Sequence, residues 1–98
     1  MENLIGKQVI VRDDKAGVFF GTLIAKEGKE LVLGNARKLC YWSGANTVEQ
    51  LAEDGVANPE NCKFTQIVET IGLGNYDQLL PCTEKAAHNL QLIKSWKY

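Results

Sequence analysis

Short apolar runs rich in β-branched and aromatic residues, separated by turn residues, fill the first half of the chain. Two such runs, at 7–12 and 17–25, are linked by the turn sequence RDDKAG and are typical of a β-hairpin. After the next turn, KEGKE, the runs at 31–34 and 36–42 predict a third and a fourth strand. This order of runs and turns predicts an antiparallel meander.

Polar capping residues mark two short helices in the second half. Thr47 and Gln50 match a capping box, and Gly55 stands where a helix of about two turns would end. Thr83 is a suitable N-cap for a second helix over 84–93, whose apolar residues fall on one stripe. The chain therefore contains two sequence-local helix signals.

Two more strands are predicted between the two helices, at 63–72 and 76–82. The sequence GLGN is predicted to form a tight turn between these strands. At 98 residues the chain is short for two domains. The prediction is one domain over 1–98, of the α+β class, with a small antiparallel sheet and two short helices.

The charge balance limits the partners that the chain can bind. Eleven Lys and Arg residues against 12 Asp and Glu give a net charge of -1, without the basic excess that a nucleic-acid polymer requires. A small anionic ligand needs only a few cations placed locally, and this composition allows it.

The cysteines and the apolar runs predict the compartment. Cys40, Cys62 and Cys82 are three in number and about 20 residues apart, so they form neither a disulfide framework nor a metal knuckle. A reducing cytoplasm is expected, with no bound metal. No leader pattern opens the chain, and no apolar run approaches the roughly 18 residues of a membrane span.

The strand at 36–42 carries cations and aromatic residues on both faces. Alternation sends Arg37 and Tyr41 to one face, and Lys38 and Trp42 to the other. A guanidinium can hold a phosphate and an indole can stack on a base, which suits a nucleotide-like ligand. The alternative is that Trp42 fills the core and Arg37 is a solvated strand residue.

Two later segments offer further binding residues. Lys63 and Phe64 place a cation beside an aromatic ring at a strand entrance, where Phe64 serves either core packing or ligand stacking. Asn75 ends the GLGN segment, which lacks the third glycine and the helix of a dinucleotide fingerprint. Its side chain still offers a donor and an acceptor to a ribose or phosphate.

Few residues suit catalysis. The single histidine, His88, lies on the predicted second helix, and Cys82 is the nearest thiol. A buried thiol and a surface imidazole are the alternative to a nucleophile and its base. Asp13 and Asp14 lie in a turn. We therefore expect a protein without enzymatic activity or cofactor.

The chain resembles a known family through segments spread over most of its length. These segments are IGKQVIVRDDKAGVFFGTL, EGKELVLGNARKLCYWSGANTVEQLA and LLPCTEKAAHNL. In their order they resemble the small phage proteins of the Thoeris anti-defence sponge family, the first described type. The chain is shorter than that family between Asn61 and Leu79.

The resemblance implies a phage protein that acts inside its bacterial host. Such a protein sequesters cyclic ADP-ribose isomers made by TIR-domain enzymes, without degrading them. It implies a homo-oligomer with pockets at protomer interfaces, and cyclic oligonucleotides as further ligands. For individual residues, the resemblance implies phosphate contacts at Arg37 and Lys63, adenine stacking on Phe64, and a ribose-phosphate contact at Asn75.

Two other functions are compatible with the sequence. A small protein-interaction module could inhibit a host defence protein directly, and an exposed apolar patch would favour it. An enzyme that cleaves the signal would need more than His88, with Cys82 and Glu84 as its remaining candidates.

Overall fold

A computed structural model describes residues 3–97; Met1, Glu2 and Tyr98 of the predicted 1–98 domain lie outside the described residues. Within them, six strands in an antiparallel sheet and two α-helices confirm the predicted α+β class. The elements are β1 Gln8–Asp13, β2 Gly17–Glu27, β3 Glu30–Tyr41, α1 Val48–Asp54, β4 Lys63–Phe64, β5 Val68–Leu73, β6 Tyr76–Pro81 and α2 Glu84–Gln91, with a 3-10 turn at Pro59–Asn61. No helix in 3–97 is long and apolar enough to cross a membrane.

The third and fourth predicted strands are one strand, β3. It pairs with β2, with Leu23 opposite Leu33 and Phe20 opposite Arg37, and the register shifts between these pairs. Asn35 lies at this shift with a φ of 46°, a conformation that asparagine tolerates better than most residues. The sequence GN at 34–35 therefore makes an irregularity inside one strand, and the chain does not reverse there.

The predicted strand at 63–72 is two strands, β4 and β5, that pair with different parts of β3. β6 pairs with β1 at the far edge of the sheet, although only Gly74 and Asn75 separate it from β5. Because two residues span only about 10 Å, the sheet must curl to bring these edges together. The amide of Tyr76 donates to the carbonyl of Lys29 at 3.2 Å across this seam.

The curl gives the sheet two apolar faces. Val9, Ile10 and Val11 of β1 are all fully buried, so successive side chains are buried on opposite sides of one strand. The helix-side core includes Ile10, Phe20, Leu39, Leu51, Phe64 and Leu90. The inner core, inside the curl, includes Val9, Val11, Leu23, Leu33 and Leu73.

Both helices begin at their predicted caps. Thr47 Oγ1 accepts from the amide of Gln50 at 3.0 Å, and Gln50 Oε1 accepts from the amide of Asn46, one residue before the cap. Gly55, with φ 74°, ends α1 as predicted. Thr83 caps α2 through the amide of Ala86 at 3.1 Å. The α1 and α2 caps were predictable because each motif lies within four residues of sequence.

Candidate functional site

Arg37 lies in the interior and binds backbone carbonyls. It is 1% exposed. Its Nε donates to Thr65 O at 3.0 Å, and one terminal nitrogen donates to Leu90 O at 3.1 Å and Gln91 O at 3.4 Å. Burial lowers the pKa of this guanidinium, but an arginine keeps its charge. The prediction that Arg37 contacts a ligand phosphate must be corrected, because its donors are directed at these carbonyls away from solvent.

The Arg37 contacts also explain where α2 ends. The helix was predicted to reach residue 93 and ends at Gln91. The last carbonyls of a helix have no partner within it, and a cation near them is favourable. Arg37 supplies that cation from β3, so the helix end, the segment after β4 and the sheet are held together at one buried group.

Phe64 is also a core residue. It is fully buried, and its ring centroid lies 5.3 Å from the Arg37 guanidinium carbon. Of the two roles predicted for Phe64, core packing is therefore the one that this structure has. The prediction that an adenine stacks on this ring is corrected. The ring closes the helix-side core beneath the end of β3.

Trp42 follows the end of β3 and packs, partly buried, against the helix-side core. The alternation of side chains along the predicted strand placed Trp42 on the same face as Lys38, and Tyr41 on the same face as Arg37. The register shifts between Leu39 and Tyr41 where β4 pairs, and Tyr41 is 54% exposed. Period-2 reasoning fails here because the strand ends within this irregularity.

Lys63 is a neighbour of two exposed aromatic residues. It pairs with Tyr41 across β3 and β4, which puts the two side chains on the same face. Its ammonium lies 5.2 Å from the ring centroid of Trp96, which is 57% exposed. We call Tyr41, Lys63 and Trp96 the aromatic platform. Exposed rings beside a cation suit a flat anionic ligand.

The backbone beneath the platform fixes its position. Phe64 and Ser95 form a parallel bridge, and the amide of Trp96 donates to Phe64 O at 2.8 Å. Because Phe64 itself lies against Arg37, the tail that carries Trp96 is tied to the core. Lys94 and Lys97 in the same tail are exposed, so the local charge around Trp96 is positive although the whole chain is near neutral.

Asn75 has an anchored backbone and an exposed side chain. Its amide donates to Asp13 Oδ2 at 3.2 Å, and its carbonyl accepts from the amide of Asp14 at 3.4 Å. Asp13 Oδ1 accepts from the amides of Lys15 and Ala16. The amide of Ala16 above all holds the pKa of Asp13 below its ordinary value, against the opposing effect of burial.

Lys63 and Asn75 lie at opposite ends of β3. Lys63 pairs with Tyr41, the last residue of the strand, whereas Asn75 precedes Tyr76, which bonds to Lys29 just before the strand begins. At about 3.3 Å per residue, the 12 residues of β3 measure roughly 40 Å along the strand. One protomer therefore does not bring these two predicted ligand contacts together.

The candidate catalytic pair is not arranged for nucleophilic chemistry. Burial raises the pKa of the Cys82 thiol to about 12, so the thiol stays protonated near neutral pH. His88 is exposed on α2, while Cys82 packs against the helix-side core. Within 3–97, no group of three or more His, Cys, Asp and Glu side chains is placed to hold a metal ion.

Sequence reasoning missed Trp96 because the SWKY tail has no periodicity. The available signal was local: Lys94 and Lys97 flank an aromatic residue, the same combination that drew attention to 36–42.

Comparison with known proteins gives a family without a described activity. No curated protein and no solved structure matches the chain. The family DUF6948, a domain of unknown function, matches residues 6–90. The match covers Tyr41 and Lys63 and ends before Trp96. Because it spans most of the 98 residues, the chain belongs to the DUF6948 family.

Proposed function

We propose that this protein binds and sequesters a cyclic nucleotide signal, of the cyclic ADP-ribose or cyclic oligonucleotide class, without degrading it. The observation that carries the proposal is the aromatic platform, where Lys63 pairs with the exposed Tyr41 and its ammonium lies 5.2 Å from the ring centroid of the exposed Trp96. The resemblance to the Thoeris anti-defence sponges supports the ligand class and a place of action in the cytoplasm of an infected bacterium.

On this proposal a purine stacks on Trp96 or Tyr41, and Lys63 lies beside a phosphate. Stacking on an aromatic side chain contributes about 1–3 kcal/mol per base. The ammonium adds a charge-assisted contact. The protonated Cys82 thiol offers no nucleophile, which favours storage of the ligand over its cleavage.

Sequestration needs more than one open surface. A nanomolar complex requires a binding free energy of about 12 kcal/mol. A platform that leaves one face of the ligand in water contributes less than this. A second copy of the chain that covers the ligand would supply the rest. Because Lys63 and Asn75 are at opposite ends of β3, a site that uses both takes the platform from one protomer and Asn75 from its partner. We therefore propose a homo-oligomer.

Calorimetric titration with cyclic ADP-ribose isomers and with cyclic di- and trinucleotides tests the proposal. One of these ligands is expected to bind tightly, and chromatography after heat denaturation is expected to recover it intact. Trp96→Ala and Lys63→Met should each weaken binding about tenfold or more, equivalent to about 1.4 kcal/mol.

The matched control is Lys85→Met, which removes an exposed lysine from α2 that pairs only weakly with Asp54 at 3.9 Å. Its affinity should equal that of the original chain. A ligand recovered as a cleaved product would overturn sequestration, and the absence of binding by every ligand tested would overturn the ligand class.

A second candidate function, direct inhibition of a host protein, is favoured by three exposed apolar side chains. Ile24, Ile67 and Leu92 are 50%, 44% and 66% exposed. Ile67 and Leu92 line one shallow cavity together with Thr22, two residues before Ile24 on β2. A stable one-to-one complex with a purified defence protein, lost in Leu92→Lys and kept in Trp96→Ala, would support this function over the first.

A further inference from the structure

Two lysines converge on one tyrosine at the seam of the curled sheet. Lys26 and Lys29 each place an ammonium 5.5 Å from the ring centroid of Tyr76. Lys29 also donates to the carbonyl of Tyr76 at 3.4 Å. Among residues 3–97, neither lysine forms an ion pair with a carboxylate. An anion near either ammonium would gain an attractive electrostatic contact.

A cavity opens beside the same tyrosine. Its volume is about 650 Å³, within the range of small-molecule sites. Leu4, Ile5, Leu79 and Pro81 supply an apolar wall, and Lys26 and Tyr76 supply the polar rim. Glu27 and Glu30 line a separate groove, to which Lys26 also contributes.

We propose that this cavity binds an amphiphilic organic anion, with an apolar body against Leu79 and Pro81 and one carboxylate, sulfonate or phosphate near Lys26. The apolar wall alone would accept neutral molecules, and Lys26, the lysine that lines the cavity, adds the preference for an anion. The cavity lies at the opposite end of β3 from the aromatic platform. The proposal therefore does not rest on the platform, although Asn75, which the proposed nucleotide site takes from a second protomer, is next to Tyr76 in sequence.

A pair of matched probes tests both halves of this site. The anion 8-anilinonaphthalene-1-sulfonate and the neutral N-phenyl-1-naphthylamine share an apolar body and differ in charge. Titration of the ¹⁵N-labelled full chain with either probe should shift the amide signals of Leu23, Lys26, Tyr76 and Leu79, and should leave those of Lys63 and Trp96 in place.

Lys26→Met separates the contribution of charge. It should weaken the sulfonate about fivefold, the effect of one partly exposed charge contact, while the neutral probe stays within about twofold. Added salt should act in the same direction on the sulfonate alone. Ile5→Asn, at a position 46% exposed, should weaken both probes by about threefold because it makes the wall polar.

Lys85→Met is the control and should change neither affinity. Signal shifts that map to the platform or to the helices would overturn the proposal, as would an equal effect of Lys26→Met on both probes. Failure of both probes to bind would overturn it as well.

Discussion

Arg37 on β3 and Asp13 at the end of β1 are both buried charges, and they are stabilised in different ways. Arg37, near the last residues of the strand, donates to carbonyls from three residues that lie 28 to 54 positions away in sequence. Asp13, at the seam, accepts from two amides of its own turn and from Asn75. In both cases backbone groups replace an opposite charge, which meets the desolvation cost without an ion pair. The difference is that Arg37 joins the sheet to α2, whereas Asp13 organises a turn and its neighbour.

The largest effect is expected from Arg37→Met. The change fills similar volume but leaves the buried carbonyls of Leu90, Gln91 and Thr65 without their charged donor, so the free energy of unfolding should fall by about 3–5 kcal/mol. Urea unfolding measures it. Arg37→Lys should recover only part of the loss, since an ammonium lacks the planar fork of donors.

Arg12→Met is the matched control, because Arg12 is exposed on β1, and its unfolding curve should hardly change. An Arg37→Met midpoint equal to that of Arg12→Met would show that the Arg37 contacts do not stabilise the fold.

Asp13→Asn should have an intermediate effect that depends on pH. Asparagine keeps one acceptor oxygen and loses the second, so at pH 7 we expect a loss of about 1–2 kcal/mol. The pKa of Asp13 is lower in the folded chain than its ordinary value of 3.8. Its contribution is therefore complete above that value and is lost as the pH falls through the folded pKa.

Unfolding curves at pH 7 and near pH 2 separate these effects. The difference between the original chain and Asp13→Asn should shrink on acidification, while Asp14→Asn, at an exposed position, should match the original at both values. A difference that stayed constant with pH would mean that the carboxylate charge is not what Asp13 contributes.

The smallest effect on stability is expected from Trp96→Ala. The ring is 57% exposed, and its contact with Lys63 is of the exposed cation–π type, worth less than about 1 kcal/mol. If Trp96→Ala lowered the free energy of unfolding as much as Arg37→Met, Trp96 would have to be a core residue, and the basis for a ligand platform would be lost.

The fold was predictable where its signals are local. The caps at Thr47 and Thr83 and the turns around 13–17 and 27–30 depend on a few neighbouring residues each, and the structure has them. The split between β4 and β5 was not predictable, because TQI at 65–67 contains neither glycine nor proline to interrupt the run.

The candidate site was less predictable than the fold. Alternation gave the relative faces of Arg37 and Lys38, but it does not say which face the helices cover. That depends on Leu90 and Gln91, more than fifty residues away. Lys63 is exposed, as a ligand contact must be. Its partner Trp96 lies in the SWKY segment, whose sequence has no periodic pattern from which its position could be predicted.

The pairing of β1 with β6 has a consequence for synthesis. β1 leaves the ribosome before β6, yet one of its edges pairs with residues 76–81, and Arg37 meets the carbonyls of Leu90 and Gln91 only when those residues have emerged. Contacts of such long sequence separation form late. The domain therefore completes its fold only after β6 and α2 have emerged, and a nascent chain arrested before β6 would leave one edge of β1 unpaired.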